Sequence, residues 1–148
     1  IPKLIMNLKL FLNKKIPTIV GLDHISYRIN PIDRWFNFYF EAKERGLDPL
    51  WTINHGWISG IYYKDPDGNL VEIFFEHFSS AEEFKSNISP DFEDEPIGTN
   101  MDVEVLYEMY KAGSDFSELI TKGNTVPEGK KPVSGFDAVV NMKKKFKD

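Results

Sequence analysis

Alternating apolar and polar positions predict the first strands of the chain. Side chains alternate between the two faces of a strand, so "TIVGLDHISYRI", residues 18–29, sorts into two sets. The apolar positions are Ile25, Tyr27 and Ile29, and the polar positions between them are His24, Ser26 and Arg28. Residues 4–12, "LIMNLKLFL", alternate less regularly and predict an earlier strand.

A helical spacing of apolar residues follows in "NPIDRWFNFYFEAKERG". We expect Asn30 as N-cap, Pro31 at the first helical position and an end at Gly46. The apolar stripe consists of Ile32, Trp35, Phe36, Tyr39, Phe40 and Ala42. Such a stripe predicts that one face of the helix packs on a sheet.

Three more strands complete a βαβββ unit from about Thr18 to His77. "LDPLWTI" and "WISGIYYK" are joined through "NHG", and "DPDGN" supplies a hairpin turn before the strand Leu70–Phe75. The predicted fold class is therefore α+β. Because one helix covers one face of four strands, the other face must meet water, a ligand or a second sheet.

The remaining residues predict an extension of loops and short helices. Helices are expected in "SSAEEFKSN", capped by Ser79 or Ser80, in "MDVEVLYEMYKAG" up to Gly113, and in "SDFSELITKG". The expected packing residues of the extension are Phe92, Ile97, Leu106 and Tyr110. We divide the chain into an N-terminal strand segment (residues 1–17), the βαβββ module (18–78) and a C-terminal extension (79–148).

Composition narrows the classes of function. The 148 residues are 41% hydrophobic and carry a net charge of −5, which is typical of a globular domain and disfavours nucleic acid or anionic membranes as partners. No apolar run is long enough for a membrane span, and we predict a cytoplasmic protein. There is no cysteine, so any metal must be held by histidine and carboxylate.

Glu72 is the unusual residue of the pattern, because it interrupts an apolar strand. Strand alternation places it opposite Val71, Ile73 and Phe75, on the polar face of the module. The residues alone leave two interpretations: Glu72 shares a metal with His24, or it pairs with Arg28 across the sheet while the histidines are ordinary polar groups.

The ordered combination "GLDHISYRI", "ERGLDPLW" and "NHGWISGIYYKDPDGNLVEIFF" resembles the second βαβββ module of the vicinal oxygen chelate superfamily. That superfamily includes glyoxalase I, bleomycin-resistance proteins and type I extradiol dioxygenases. The resemblance covers about residues 18–78 and is greatest to the dioxygenase-like members.

The resemblance implies a metal site with His24 and Glu72 as ligands. It also implies that Tyr62 hydrogen-bonds a substrate oxygen and that His55 transfers protons, for which the near-neutral pKa of histidine is suited. The loop from His55 to Tyr62 is about two residues shorter than in the well-known enzymes, and a solvent-exposed turn histidine is the alternative for His55. His77 is expected to be structural.

The implied cofactor is a divalent metal, with Fe(II) favoured over Zn, Ni or Mn. No second ligand histidine precedes residue 18, so we expect the chain to lack a first module, to pair as a homodimer or to pair with a partner that carries the missing module. The favoured function is ring cleavage of a catechol-type small molecule. A glyoxalase-like isomerase or lyase and a metal-free small-molecule-binding protein are the alternatives.

Overall fold

The computed structural model describes residues 23–87, 92, 95–126, 129, 131, 133–135, 137 and 140. The strand predicted over residues 4–12 lies outside the described residues, as does the start of the strand predicted over 18–29. No helix within these ranges is both long and apolar enough to cross a membrane.

Five strands form one mixed sheet in the order β1-β4-β3-β2-β5. The strands are β1 (Ile25–Arg28), β2 (Trp51–Asn54), β3 (Ile58–Lys64), β4 (Leu70–Glu76) and β5 (Thr99–Asn100). The helices are α1 (Ile32–Glu44), α2 (Ala81–Asn87), α3 (Val103–Lys111) and α4 (Phe116–Leu119). β1 runs parallel to β4 and every other pairing is antiparallel. The α+β prediction and the βαβββ order are confirmed.

α1 packs on one face of the sheet, as the spacing of its apolar residues predicted. The indole of Trp35 is fully buried, stacks edge-on against Phe75 at 4.9 Å between ring centroids and donates to the Ile73 carbonyl at 3.1 Å. The core on this face also includes Ile32, Phe36, Tyr39, Ile61, Met101, Val103, Leu106 and Leu119. The opposite face of strands β1 to β4 carries the polar residues that were predicted for it.

The β3–β4 hairpin forms through the turn chemistry of "DPDGN". Asp65 accepts from the Asn69 amide at 2.6 Å, and Gly68 adopts a φ of +89°, a conformation that glycine reaches without a steric penalty. This turn sets the register that pairs Tyr62 with Glu72. The predicted end of α1 at Gly46 is also confirmed by its φ of +77°.

The start of α1 differs from the prediction. Pro31 occupies the N-cap position and no side chain caps the helix. The side chain of Asn30 instead accepts a hydrogen bond from the Glu76 amide at 3.0 Å. Asn30 therefore ties the β1–α1 connection to the end of β4, an alternative use of an asparagine that spacing alone does not reveal.

Among the described strands, β1 lies at one edge of the sheet, and its four residues are all exposed. The polar parity predicted for Ser26 and Arg28 holds, since these residues contact carboxylates of β4. Ile25 and Tyr27, predicted on the other face of this strand, are 41% and 56% exposed.

The extension is built onto the module by a strand that was not predicted. β5 pairs with the free edge of β2, with Ile53 opposite Asn100 and Asn54 opposite Thr99.

The predicted cap at Ser80 is confirmed, because its hydroxyl accepts from the Glu83 amide at 3.1 Å.

The four expected packing residues of the extension all make contacts. Leu106 is fully buried in the core, and Ile97 packs against the buried cluster of Ile53, Tyr62 and Leu70. Tyr110 lies against Phe36 at 5.3 Å between ring centroids, and Phe92 contacts Phe84 at 6.1 Å.

Candidate metal and acid–base site

One row of side chains crosses the sheet on the face opposite α1. The strand register places Ser26 beside Glu72, Glu72 beside Tyr62, and Tyr62 beside Trp51. Cross-strand neighbours on one face lie close enough for direct contact. Four strands therefore each contribute one side chain to a continuous polar and aromatic row.

Glu72 lies at the centre of this row and is only 3% exposed. Ser26 donates to Oε2 at 2.6 Å, and Nε2 of His24 lies 3.3 Å from the same oxygen. Burial raises the pKa of the Glu72 carboxyl, but the nearby His55, Ser26 and Tyr62 outweigh it and leave the pKa below its usual value. Glu72 is therefore a buried carboxylate that its neighbours keep ionised.

The second oxygen of Glu72 is left without a hydrogen bond. Oε1 is buried and has no hydrogen-bond partner within the described residues, because Nε2 of His55 is 3.7 Å away. A buried carboxylate oxygen without a partner carries a desolvation cost of about 1–3 kcal/mol or more. Such an atom is a candidate for binding a cation or a ligand proton.

Gly60 makes room for this carboxylate. A Cβ at position 60 would lie 2.5 Å from Oε1 of Glu72 and 3.4 Å from its Cγ. Any side chain larger than hydrogen would therefore displace the glutamate. Gly60 is a site residue that the sequence pattern did not identify, since a glycine within a strand more often marks a bulge.

His24 presents an unprotonated nitrogen to Glu72 when its ring is neutral. Nδ1 lies 2.8 Å from Oδ2 of Asp23, and a carboxylate can only accept, so Nδ1 carries the proton. Nε2 then directs a lone pair towards Oε2 of Glu72 at 3.3 Å. A divalent cation bound by both atoms would offset the repulsion between their lone pairs.

His55 and Tyr62 lie beside the carboxylate. Nε2 of His55 is 3.3 Å from the Tyr62 hydroxyl, and Nδ1 is 2.5 Å from the Ile97 carbonyl. Burial first, and the charge of Glu72 second, raise the pKa of the Tyr62 phenol far above its usual value. The phenol therefore stays protonated and can donate a hydrogen bond.

The His55 side chain is 15% exposed, so the alternative of a solvent-exposed turn histidine is wrong. Trp51 closes this side of the row, with its indole stacked on Tyr62 at 5.0 Å between ring centroids. Trp51 is a second residue that sequence reasoning missed, because its aromatic pattern also fits an ordinary strand.

The alternative pairing of Glu72 with Arg28 is wrong. Arg28 binds Oε2 of Glu76 at 2.9 Å, four residues further along the same face of β4, because the parallel register sets Ser26, rather than Arg28, beside Glu72. His77 is buried at 3% exposure and is bound to Ser59 at 2.8 Å, as expected of a structural histidine.

The donors present fit part of a metal site. The separation of His24 Nε2 and Glu72 Oε2 suits two neighbouring ligands of one divalent cation, and the Asp23–His24 contact resembles the carboxylate that commonly orients a ligand histidine. Within the described ranges, no three histidine or acidic side chains are arranged so as to hold a metal ion. His24 and Glu72 would therefore need at least one donor from elsewhere.

The fold and this face together define the class. A βαβββ module with a helix on one face and a buried acid on the other is consistent with the glyoxalase and extradiol dioxygenase type of module.

Two curated relatives agree with this class. The chain is 31% identical over 112 residues to biphenyl-2,3-diol 1,2-dioxygenase 3 of Rhodococcus globerulus, and the match covers 75% of the chain and 59% of the relative. It is 28% identical over 111 residues to biphenyl-2,3-diol 1,2-dioxygenase 2 of the same organism, over 74% of the chain and 58% of the relative. The chain thus spans less than two thirds of the length of either dioxygenase.

No family model and no solved structure matches the chain. The two curated relatives alone relate the chain to dioxygenases. Its predicted assignment to the vicinal oxygen chelate superfamily stays a prediction.

Proposed function

We propose that this protein is an extradiol dioxygenase-like metalloprotein that cleaves the ring of a catechol-type diol. The observation that carries the proposal is the burial of the Glu72 carboxylate between Ser26, His24 and His55, with one oxygen left unpaired. The relatives add support, since both are named for a ring diol and a dioxygenase reaction. His24 and Glu72 are the proposed metal ligands.

Fe(II) is the proposed metal; His24 and Glu72 would hold it, and when bound it would supply Lewis-acid and redox chemistry to a catechol-type diol and dioxygen. Tyr62 donates a hydrogen bond from its hydroxyl to a substrate oxygen, since burial keeps the phenol protonated. His55 directs Nε2 at the same region, 3.3 Å from the Tyr62 hydroxyl, where it can take up or return a proton. The stacked Trp51 excludes water from one side of Tyr62.

The remaining donor comes from a second βαβββ module. That module belongs to a second copy of the chain, to a longer chain or to a partner. Ser26 and Gly60 complete this half of the site, because they fix one oxygen of Glu72 and leave space at the other.

Oxygen uptake by the purified protein, reconstituted anaerobically with Fe(II), tests the proposal. Catechol and biphenyl-2,3-diol serve as substrates, and we expect stoichiometric oxygen consumption with formation of a yellow ring-cleaved product. Glu72→Gln should abolish the uptake, whereas Glu76→Gln should retain it, because Glu76 lies on the same face but pairs with Arg28.

Three outcomes would reject the proposal. Uptake by Glu72→Gln at the wild-type rate would remove the ligand assignment. Zn(II)- or Ni(II)-dependent turnover of an oxoacid or thiol adduct without oxygen would favour the glyoxalase-like alternative. Diol binding by a protein that takes up none of these metals would favour the metal-free binding protein.

A further inference from the structure

The C-terminal extension binds the ring of His55 at its Nδ1 atom. Its Nδ1 lies 2.5 Å from the Ile97 carbonyl oxygen. A carbonyl oxygen can only accept a hydrogen bond, so Nδ1 must carry the proton. In the neutral ring, the lone pair is then at Nε2, on the side of Tyr62 and Glu72.

The Ile97 carbonyl is itself held by close backbone packing. Gly98 has a φ of +100°, and a Cβ there would lie 2.1 Å from the Asn54 carbonyl oxygen and 2.7 Å from the His55 Cα. The extension backbone thus runs directly against the β2–β3 connection that carries His55. Pairing of Asn54 with Thr99 continues this contact into β5.

A second glycine also packs against this segment. The Gly135 amide donates to the Gly98 carbonyl at 2.7 Å. A Cβ at position 135 would lie 2.4 Å from Cγ2 of Ile97. A side chain at position 98 or 135 would collide with the neighbouring backbone or with Ile97. The two glycines therefore permit the close packing that directs the Ile97 carbonyl at His55.

The side chain of Asn54, the last residue of β2, fixes the start of the β2–β3 connection independently of Ile97. Asn54 is 1% exposed, accepts from the Gly56 amide at 2.7 Å and donates to the Ile120 carbonyl at 2.8 Å. These bonds hold the backbone of His55, while the Ile97 carbonyl holds its ring. The two restraints act on different atoms, so they can be disturbed one at a time.

From this arrangement we infer that Ile97 is a positioning residue, whose backbone carbonyl selects the Nδ1-protonated tautomer of His55 and orients Nε2 towards the substrate side. This rests on the proposed function for the identity of the proton that His55 transfers, but the tautomer itself does not. The C-terminal extension is in this way a component of the reaction site. A histidine without such a partner favours protonation at Nε2 in water, which leaves Nε2 unable to accept.

Long-range ¹H–¹⁵N spectra of the protein labelled at histidine test the inference directly. His55→Gln identifies the His55 signals by their loss. We expect neutral His55 to be protonated at Nδ1 in the wild type. Protonation at Nε2 in the neutral ring would overturn the inference, whatever the protein catalyses.

Gly98→Ala tests the link between the segment and the ring, with Gly113→Ala as its matched control. Both glycines have a positive φ, but a Cβ at position 113 meets nothing within 4 Å. We expect Gly98→Ala to populate the Nε2-protonated tautomer and to lower kcat for oxygen uptake about 10- to 100-fold at unchanged iron content. Gly113→Ala should change neither the tautomer nor the kcat.

Gly135→Ala is the second variant, because it displaces Ile97 without requiring a strained φ, and it keeps the test valid if Gly98→Ala does not fold. It should shift the His55 tautomer in the same direction. An unchanged tautomer in a folded Gly98→Ala or Gly135→Ala protein would contradict the inference. Nδ1 protonation in a wild-type protein that takes up no oxygen would support the positioning by Ile97 and reject the proposed function.

Discussion

Gly60 and Glu72 lie diagonally across β3 and β4, and the absence of a side chain at position 60 leaves the space that Oε1 of Glu72 occupies. A Cβ there would lie 2.5 Å from that oxygen. The site therefore depends on a residue that carries no functional group. Both partners lie in the strands of one hairpin, whose turn fixes their register.

Gly60→Ala is expected to weaken metal binding by about 10-fold or more, because the new methyl group displaces the Glu72 carboxylate. Glu72→Asp shortens the side chain by one methylene and should relieve the collision. The double variant is then less impaired than the sum of the two single variants predicts. Isothermal titration with a divalent metal measures all four proteins, and strict additivity would contradict the contact.

Tyr62→Phe should lower kcat and Tyr63→Phe should not, although the two residues are adjacent. Tyr62 faces the site and lies 3.3 Å from His55, so loss of its hydroxyl should lower kcat for the diol about 100-fold. Burial raises the pKa of Tyr63 to about 12, and its buried hydroxyl has no partner among the described residues.

Tyr63→Phe should therefore leave kcat unchanged and alter the free energy of unfolding by no more than about 1 kcal/mol, in the stabilising direction. Steady-state oxygen uptake and urea unfolding of the two variants make the comparison. A loss of kcat in Tyr63→Phe equal to that in Tyr62→Phe would contradict the assignment of faces.

His77 should make the protein less stable in mild acid. Burial lowers the pKa of its imidazole to about 3, below the value of about 6.5 for an unfolded chain. The unfolded state therefore takes up a proton that the folded state does not, and stability is full above pH 6.5 and decreases as the pH falls towards 3.

Between pH 7 and pH 5 this residue should cost about 2 kcal/mol of unfolding free energy. Urea unfolding of the wild type and of His77→Gln at both pH values isolates the contribution. His77→Gln is expected to lose about 2 kcal/mol less over that interval. An equal loss in both proteins would show that the protonation of His77 is not linked to unfolding.

The side-chain cap at the start of α3 should contribute measurably to the free energy of unfolding. Asp102 accepts from the amides of Glu104 and Val105 at 2.9 and 3.1 Å, and Asp102→Ala should cost about 1 kcal/mol. Asp115 occupies the N-cap of α4 without a side-chain cap bond, so Asp115→Ala should cost less than about 0.5 kcal/mol. Thermal unfolding of the two variants compares them, and equal losses would contradict the cap.

Local patterns were sufficient to predict the module. The alternation in β4 placed Glu72 on the face opposite Ile73 and Phe75, and the chemistry of Asp65 to Asn69 specified the hairpin. These features depend on neighbours in sequence, so they are visible in the residues. Proximity of His24 to Glu72 followed once the resemblance indicated that the first and last strands of the module belong together.

Features that depend on distant packing could not be predicted. Nothing in "PIGTN" indicates that residues 99–100 extend the sheet, because a two-residue strand has no periodicity. The roles of Gly60, Ile97 and Gly98 depend on what approaches their backbone, which composition does not encode. Asn30 had the chemistry of a helix cap, but the Glu76 amide is the partner it binds.

The metal content of three proteins tests the central claim most directly. The wild type, Glu72→Gln and Glu76→Gln are reconstituted with Fe(II) under identical anaerobic conditions, desalted and measured for iron per chain. We predict that the wild type and Glu76→Gln retain iron equally and that Glu72→Gln retains at least about 10-fold less. Wild-type iron content in Glu72→Gln would contradict a metal site at Glu72.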